Sequence, residues 1–349
     1  MTASEQDKAA RLAKVVTARA FISPTDDCGG NPVTIFHLSA PTSSDDLAKL
    51  AQKCPWESIM IDNIDSSEDK IGEIPLPIFH SYMPSGEEVS FCGHAAIGAC
   101  SYLASKKSIV KGGINLQPFS SSATSTVSFL TAGDWIRYDA LVTRNEVQLM
   151  MHQQHTEAEC NNKSFTIVDF LSELGLDKSD VLSENANDWP LFLNSSVARP
   201  KTLIPISSIQ RLHAATPPRN AEKFRDMCDS IESTGVYLYS PVPTTEIGTA
   251  TTKKKVDIEF ECRQFPRWSG YSEDPATGIA AGALAASLHK RQHSRCGSGE
   301  SCHICYQGTA MGRPSKIQVA ISDYASSSSV CPTLKVTYTG LVVFDTVSV

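Results

Sequence analysis

Three short runs of this chain gather residue types that move protons or hold anions. Phe91-Cys92-Gly93-His94-Ala95 reads as a strand passing through a glycine into a helix. The first N–H groups of such a helix lack intrahelical acceptors and, with the helix dipole, attract an anion. His94 adds a group that titrates near neutral pH. A packed His and Cys at a strand-to-helix turn explains the same run structurally. Glu273-Asp274-Pro275-Ala276-Thr277-Gly278 opens a second helix of small residues. Asp274 there serves equally as an N-cap with Pro275 at the first helical position. Two helix starts of one type, one per half of the chain, can together hold a carboxylate-bearing substrate. In Cys54-Pro55-Trp56-Glu57-Ser58 a carboxylate adjoins a large apolar ring. Such a neighbour disfavours the ionised form and raises the pKa toward the range useful for proton transfer. A surface glutamate just past a helix is the alternative.

Other candidates carry less. Cys296, Cys302, His303 and Cys305 have ligand types for zinc. Adjacent Cys302 and His303 cannot easily face one ion, however, and no second pair follows, so a reduced loop insertion is the simpler reading. His152 and His155 sit in a polar stretch and are read as solvated. Arg199 and Lys201 are read as strand-entry charges.

The elements that must position these residues follow from pattern. Residues 15–38 read as two strands joined by a turn-rich loop. Residues 45–52 read as a helix capped by Ser43 or Ser44 and ended by Pro55. Strand-like runs follow at 59–64 and 78–83. From Gly93, Ala95-Ala96-Ile97-Gly98-Ala99-Cys100 is small and apolar on every side, the pattern of an enclosed helix. The same grammar returns as a strand at 256–263 and a small-residue helix from Gly278. Two halves, each with strands around one buried helix, follow, with lobes at 12–132 and 133–349 and a last strand that can pack back on the first lobe. Residues 152–188 read as polar connection plus one helix, 290–301 and 326–329 as loops, and 334–349 as a terminal strand pair.

Composition narrows the function classes. The 349 residues carry 38 acidic and 31 basic side chains, a net charge of −7, which excludes a basic nucleic-acid footprint. No apolar stretch reaches the roughly 18 residues of a membrane span. The polar N-terminus lacks a signal-peptide core, and 11 scattered cysteines fit reduced thiols. A cytoplasmic protein with no nucleic-acid or membrane partner is expected.

With Gly30-Asn31-Pro32-Val33, Trp56-Glu57-Ser58, the FCGHA and EDPATG runs, Arg263-Gln264-Phe265-Pro266, Gln307-Gly308 and Met311-Gly312-Arg313-Pro314-Ser315 in this order, the chain resembles the phenazine-biosynthesis PhzF-like proteins, relatives of diaminopimelate epimerase. The resemblance spans nearly the whole chain. It implies an α+β, diaminopimelate epimerase-like fold: two pseudo-symmetric lobes, each a β-barrel-like sheet around a central helix, with the active site in the cleft between them. It further implies a homodimer and an isomerase without metal or organic cofactor. In the family the glutamate matching Glu57 is the acid/base, and His94 and Asp274 match pocket residues. Cys92, Gly93, Thr277, Gly278 and Ile279 fall at substrate-binding positions, with amides at Gly93, His94 and Gly278 on a carboxylate.

Two departures count. Ile279 stands where relatives often carry serine, so a hydroxyl is missing. Diaminopimelate epimerase uses two opposed cysteines, whereas here Cys92 has no counterpart in the second motif, which argues against a two-thiol racemase. The expected activity is proton-transfer isomerisation of a small carboxylated metabolite. A catalytically silent binding protein and an amino-acid epimerase are the alternatives on the same fold.

Overall fold

The structure, a computed structural model, describes residues 13–25, 29–62, 76–110, 124–132, 136–143, 146–160, 164–182, 191–243, 258–296, 299–324 and 333–345. The chain forms two compact units, Met1–Met151 with Thr339–Val349, and His152–Tyr338.

In the first unit, β1 (Ala13–Ile22) and β2 (Asn31–Leu38) form an antiparallel hairpin. Helix α1 (Ser44–Ala51) follows, capped where Ser43 Oγ accepts the Asp46 N–H at 3.3 Å. Its Leu47, Leu50 and Ala51 are buried, as their helical spacing requires. This crossover brings β3 (Ser58–Asp62) parallel to β2, and β4 (Ile78–Tyr82) returns antiparallel with short β5 (Glu88–Val89) on its edge. Helix α2 (Gly93–Val110) is the second crossover, leading to β6 (Thr124–Thr131) parallel to β4. The meander β7 (Arg137–Thr143) and β8 (Glu146–Gln154) follows. Helix α2 packs on β1, β2, β3, β6 and β7. Its Ala95, Ile97, Ala99, Cys100 and Ala104 have no exposed surface, so it is enclosed, as its lack of a polar face predicts.

The second unit repeats this order. After β9 (Thr156–Glu159) and α3 (Ile167–Glu173), β10 (Leu193–Ser196) and β11 (Lys201–Pro205) pair antiparallel. Helices α4 (Ile209–Ala214) and α5 (Ala221–Ser230) cross over to β12 (Gly235–Pro241), parallel to β11. Strand β13 (Ile258–Pro266) is antiparallel to β12, and α6 (Gly278–Cys296) leads to β14 (Ser301–Gln307), parallel to β13. Strand β15 (Ser315–Asp323) closes the set. Antiparallel, parallel, antiparallel, parallel, antiparallel is thus the pairing sequence of β1-β2-β3-β4-β6-β7 and of β10 to β15. A core of Phe170, Leu212, Phe224, Met227, Leu238 and Phe265 holds α3 to α5 on this sheet. Among the described residues, no helix is long and apolar enough to cross a membrane.

Several local expectations are corrected. Residues 290–296, read as loop, are the last turns of α6. Cys302, His303 and Cys305 lie on strand β14, where neighbouring side chains alternate between faces. Among the described residues, no three His, Cys, Asp or Glu side chains converge as metal ligands. Residues 333–344, expected as part of a strand pair over 334–349, form one twelve-residue strand, β16 (Thr333–Phe344), whose burial alternates without a turn through Gly340, and 346–349 lie outside the described residues. The serine run 326–329 lies outside the described residues.

Candidate active site

Two clusters hold the residues singled out by sequence, one in each unit. In the first unit, parallel pairing of β2 and β3 lets the Thr34 N–H bond the Glu57 carbonyl at 3.1 Å, which pins the residue just before β3. Trp56 Nε1 donates to Thr34 Oγ1 at 2.9 Å, anchoring its ring to β2. Glu57 itself is 5% exposed, so the surface alternative is excluded. The Cys92 carbonyl accepts the Ala96 N–H at 2.9 Å and starts α2. His94, on the first turn, is also 5% exposed. Its Nε2 faces Glu57 Oε2 at 3.9 Å. Its Nδ1 lies 3.4 Å from Cys92 Sγ and 3.3 Å from Asn31 Nδ2. The structure therefore brings Glu57, His94 and Cys92 together around one imidazole, next to the amides of Gly93 and the first turn.

In the second unit the EDPATG run is a turn with its own bonding. Asp274 does not cap the helix with Pro275 inside it, because α6 begins only at Gly278. Instead Asp274 Oδ2 accepts Thr277 Oγ1 at 2.6 Å, and Oδ1 accepts the Ala276 N–H at 3.3 Å. Gln307 spans the turn: its Oε1 accepts the Thr277 N–H at 3.2 Å and its Nε2 donates to the Asp274 carbonyl at 2.6 Å. Backbone pairing with Gln264 holds the Asp274 N–H at 3.0 Å. The Thr277 carbonyl takes the N–H groups of Ala280 and Ala281, leaving Gly278 and Ile279 at the helix start. Ile279 is a buried apolar side chain there, 4% exposed.

One ion pair braces this turn. Arg263 Nε and Nη2 bond Glu273 Oε1 and Oε2 at 2.7 and 2.6 Å, both residues buried. Arg263 Nη1 reaches the carbonyls of Leu212 and His213 at 3.3 and 3.2 Å, and also that of Ala215. The end of α4 is thereby tied to Glu273.

Two charges read as surface groups are interior. Lys201 is 5% exposed on β11 and donates to the Thr234 carbonyl at 3.2 Å. Burial pushes its ammonium down to about 7, with Arg199 adding to the effect and Asp274 opposing it. His155 is buried against Ser195 Oγ at 3.0 Å, and burial lowers its pKa to about 4. His152 is exposed, as expected. In the sequence Asn31, Arg263 and Gln307 stand out only as members of longer motifs, and their signal is a polar residue inside a run that folds into a buried strand.

A cavity of about 270 Å³ lies beside the segment leading from β13 to Glu273, walled by Phe224, Pro266, Arg267, Trp268 and Tyr271. No carboxylate or histidine lines it, so proton-transfer chemistry is not placed there.

The sequence pattern of phenazine biosynthesis-like proteins, PhzC-PhzF, matches residues 20–343. The chain belongs to this family. All the residues of both clusters lie inside the matched span. An uncharacterized isomerase of Deinococcus radiodurans is 26% identical over 246 residues, covering 69% of this chain and 68% of its own. An uncharacterized isomerase of Clostridium acetobutylicum is 26% identical over 234 residues, covering 67% and 68%. The PhzF-family phenazine biosynthesis protein of Bacillus anthracis superposes with a TM-score of 0.70 at 17% identity, covering 96% of this chain and 97% of that one. A predicted epimerase of Pseudomonas aeruginosa gives a TM-score of 0.63 at 18% identity over 96% and 97%. These likenesses establish the epimerase-like α+β fold of the phenazine biosynthesis-like family for this chain.

Proposed function

We propose that the protein is an isomerase that moves a proton between carbon positions of a small carboxylated metabolite, with Glu57 as the acid/base. The observation that carries this reading is the buried Glu57 carboxylate facing His94 Nε2 at 3.9 Å beside the start of α2. Relatives named isomerase and epimerase support the reaction class.

In the proposed step the Glu57 carboxylate takes a proton from a carbon activated by a neighbouring carbonyl or alkene. The C–H electron pair delocalises into that group, and the new carboxylic acid returns the proton at another carbon. Atoms and electrons balance within substrate and Glu57. Negative charge building on the substrate is stabilised by His94 and by the first-turn amides at Gly93 and His94. Cys92 lines the same spot. By family resemblance, Asp274, Thr277 and the Gly278 amide fall at substrate-binding positions, and Ile279 stands where relatives often carry a hydroxyl. By the same resemblance the protein acts as a homodimer, without metal or organic cofactor.

The test uses a cell metabolite extract in deuterated water, incubated with wild type or Glu57→Gln and read by mass spectrometry. Wild type is expected to label a carboxylated compound, and Glu57→Gln to label it at least about 100-fold more slowly. Equal labelling by both proteins would remove Glu57 from the role. If neither labels anything and one metabolite co-purifies with both, a binding protein on the same fold replaces the isomerase.

A further inference from the structure

We infer that Asn31 is a positioning residue that fixes the tautomer of His94 and so divides the proton-handling duties of the first-unit cluster. Asn31 is the first residue of β2 and is 2% exposed. Gly30 before it holds φ +89°, and a Cβ there would meet Ile22 Cγ2 at 2.7 Å and the Ala20 carbonyl at 3.0 Å. Only glycine makes this entry without strain, and it turns the Asn31 side chain inward. Asn31 Nδ2 then lies 3.3 Å from His94 Nδ1.

An amide NH2 donates and does not accept. Nδ1 must therefore be the acceptor, and the single proton of the neutral ring sits on Nε2, the nitrogen facing Glu57. Three consequences follow. An imidazolium would drive an Nδ1–H against the Asn31 NH2, which opposes the charged ring, while the Glu57 carboxylate 3.9 Å from Nε2 favours it. Cys92, 3.4 Å from the same Nδ1, faces an acceptor in this tautomer and not an N–H. Glu57 is left as the base, with Nε2–H on the side of its carboxylate, 3.9 Å away and beyond hydrogen-bonding distance.

The meaning for catalysis rests on the reading of Glu57 and His94 as the proton-handling pair. The tautomer itself does not, and it is measured without turnover. The full-length protein is labelled with ¹⁵N-histidine, and long-range proton–nitrogen spectra are recorded for wild type, His94→Gln to assign the ring, and Asn31→Asp. Expected in wild type is a pyridine-type Nδ1 and a pyrrole-type Nε2. Asn31→Asp replaces the donor by an anionic acceptor, which should move the proton to Nδ1 and raise the pH of ring protonation by about 1–2. A pyrrole-type Nδ1 in wild type overturns the inference and leaves the deuterium experiment unaffected. An Asn31→Asp protein that keeps the wild-type ring state and titration also overturns it. Should Asn31→Asp fail to fold, the wild-type spectrum decides alone.

Discussion

The two units run one order of strands and crossovers, yet at the first residue of the second strand, just after the hairpin turn, they place opposite chemistry. In the first unit that residue is Asn31, a neutral donor on His94 Nδ1. In the second it is Lys201, a buried amine whose ammonium is pushed down to about 7. Around the start of α2, His94 Nδ1 lies 3.3 Å from Asn31 Nδ2 and Nε2 lies 3.9 Å from Glu57 Oε2. Around the start of α6, Asp274, Thr277, Gln264 and Gln307 bond one another and Arg263 clamps Glu273. One copy of the motif sets a carboxylate against an imidazole, and the other ties its turn into a bonded network, so duplication of a fold need not duplicate its polar contacts.

The contrast breaks most visibly at Arg263. Arg263→Met leaves Glu273 charged, buried and unpartnered by the guanidinium, which should cost about 3–5 kcal/mol. Equilibrium urea denaturation reads this as a lower midpoint. Glu57→Gln, by comparison, should move the midpoint little while stopping label transfer. Equal losses of stability in the two variants would mean that the first-unit cluster is also a brace.

Lys201 gives a smaller effect of opposite sign. Its folded pKa of about 7 lies below the ordinary 10.5, so between these values the unfolded chain binds more protons and stability rises with pH. Below pH 7 the full penalty of burying the ammonium applies. Lys201→Met should therefore stabilise the protein at pH 6 by a few kcal/mol, since each tenfold loss of proton affinity on folding is worth about 1.4 kcal/mol. The lost bond to Thr234 takes back about 1 kcal/mol. The gain should fade as the pH approaches 10.5. A gain that is flat with pH would show that Lys201 is not buried as a neutral amine.

The smallest test compares the two enclosed helices. A Cβ on Gly282 would run into the Tyr338 hydroxyl, whereas one on Gly98 would meet the single methyl Val33 Cγ1 at 2.9 Å. Alanine recovers about 1 kcal/mol of helix propensity at either site, and overpacking costs about 1–3 kcal/mol. Gly282→Ala should lower the thermal midpoint, and Gly98→Ala should stay near wild type. A reversed order would place the tighter packing in the first unit.

What could be read from sequence was what depends on neighbours along the chain. Ser43 capping α1, the all-round small residues of α2 and α6, and the paired helix starts each have their cause within one turn of helix. Burial of His155 and Lys201 was not legible, because their partners Ser195 and Thr234 arrive from 40 and 33 residues away. The last turns of α6 looked like loop because His289, Lys290 and Arg291 break the apolar pattern. Their reason is again distant: Lys290 and Arg291 hold Glu157 at 2.8 and 2.9 Å. Asp274 resembled a helix cap because Pro275 follows it, whereas Gln307 from β14 holds the turn open for three further residues.

Strand β16 is divided between the units at Tyr338 and Thr339. Its far end pairs with β1, from Leu341 opposite Ile22 to Phe344 opposite Ala18. Unit two is one uninterrupted stretch of chain, but unit one is not. During vectorial synthesis on the ribosome, β1 emerges long before this partner exists. Until then it carries an open strand edge, the kind of surface that invites association with other chains.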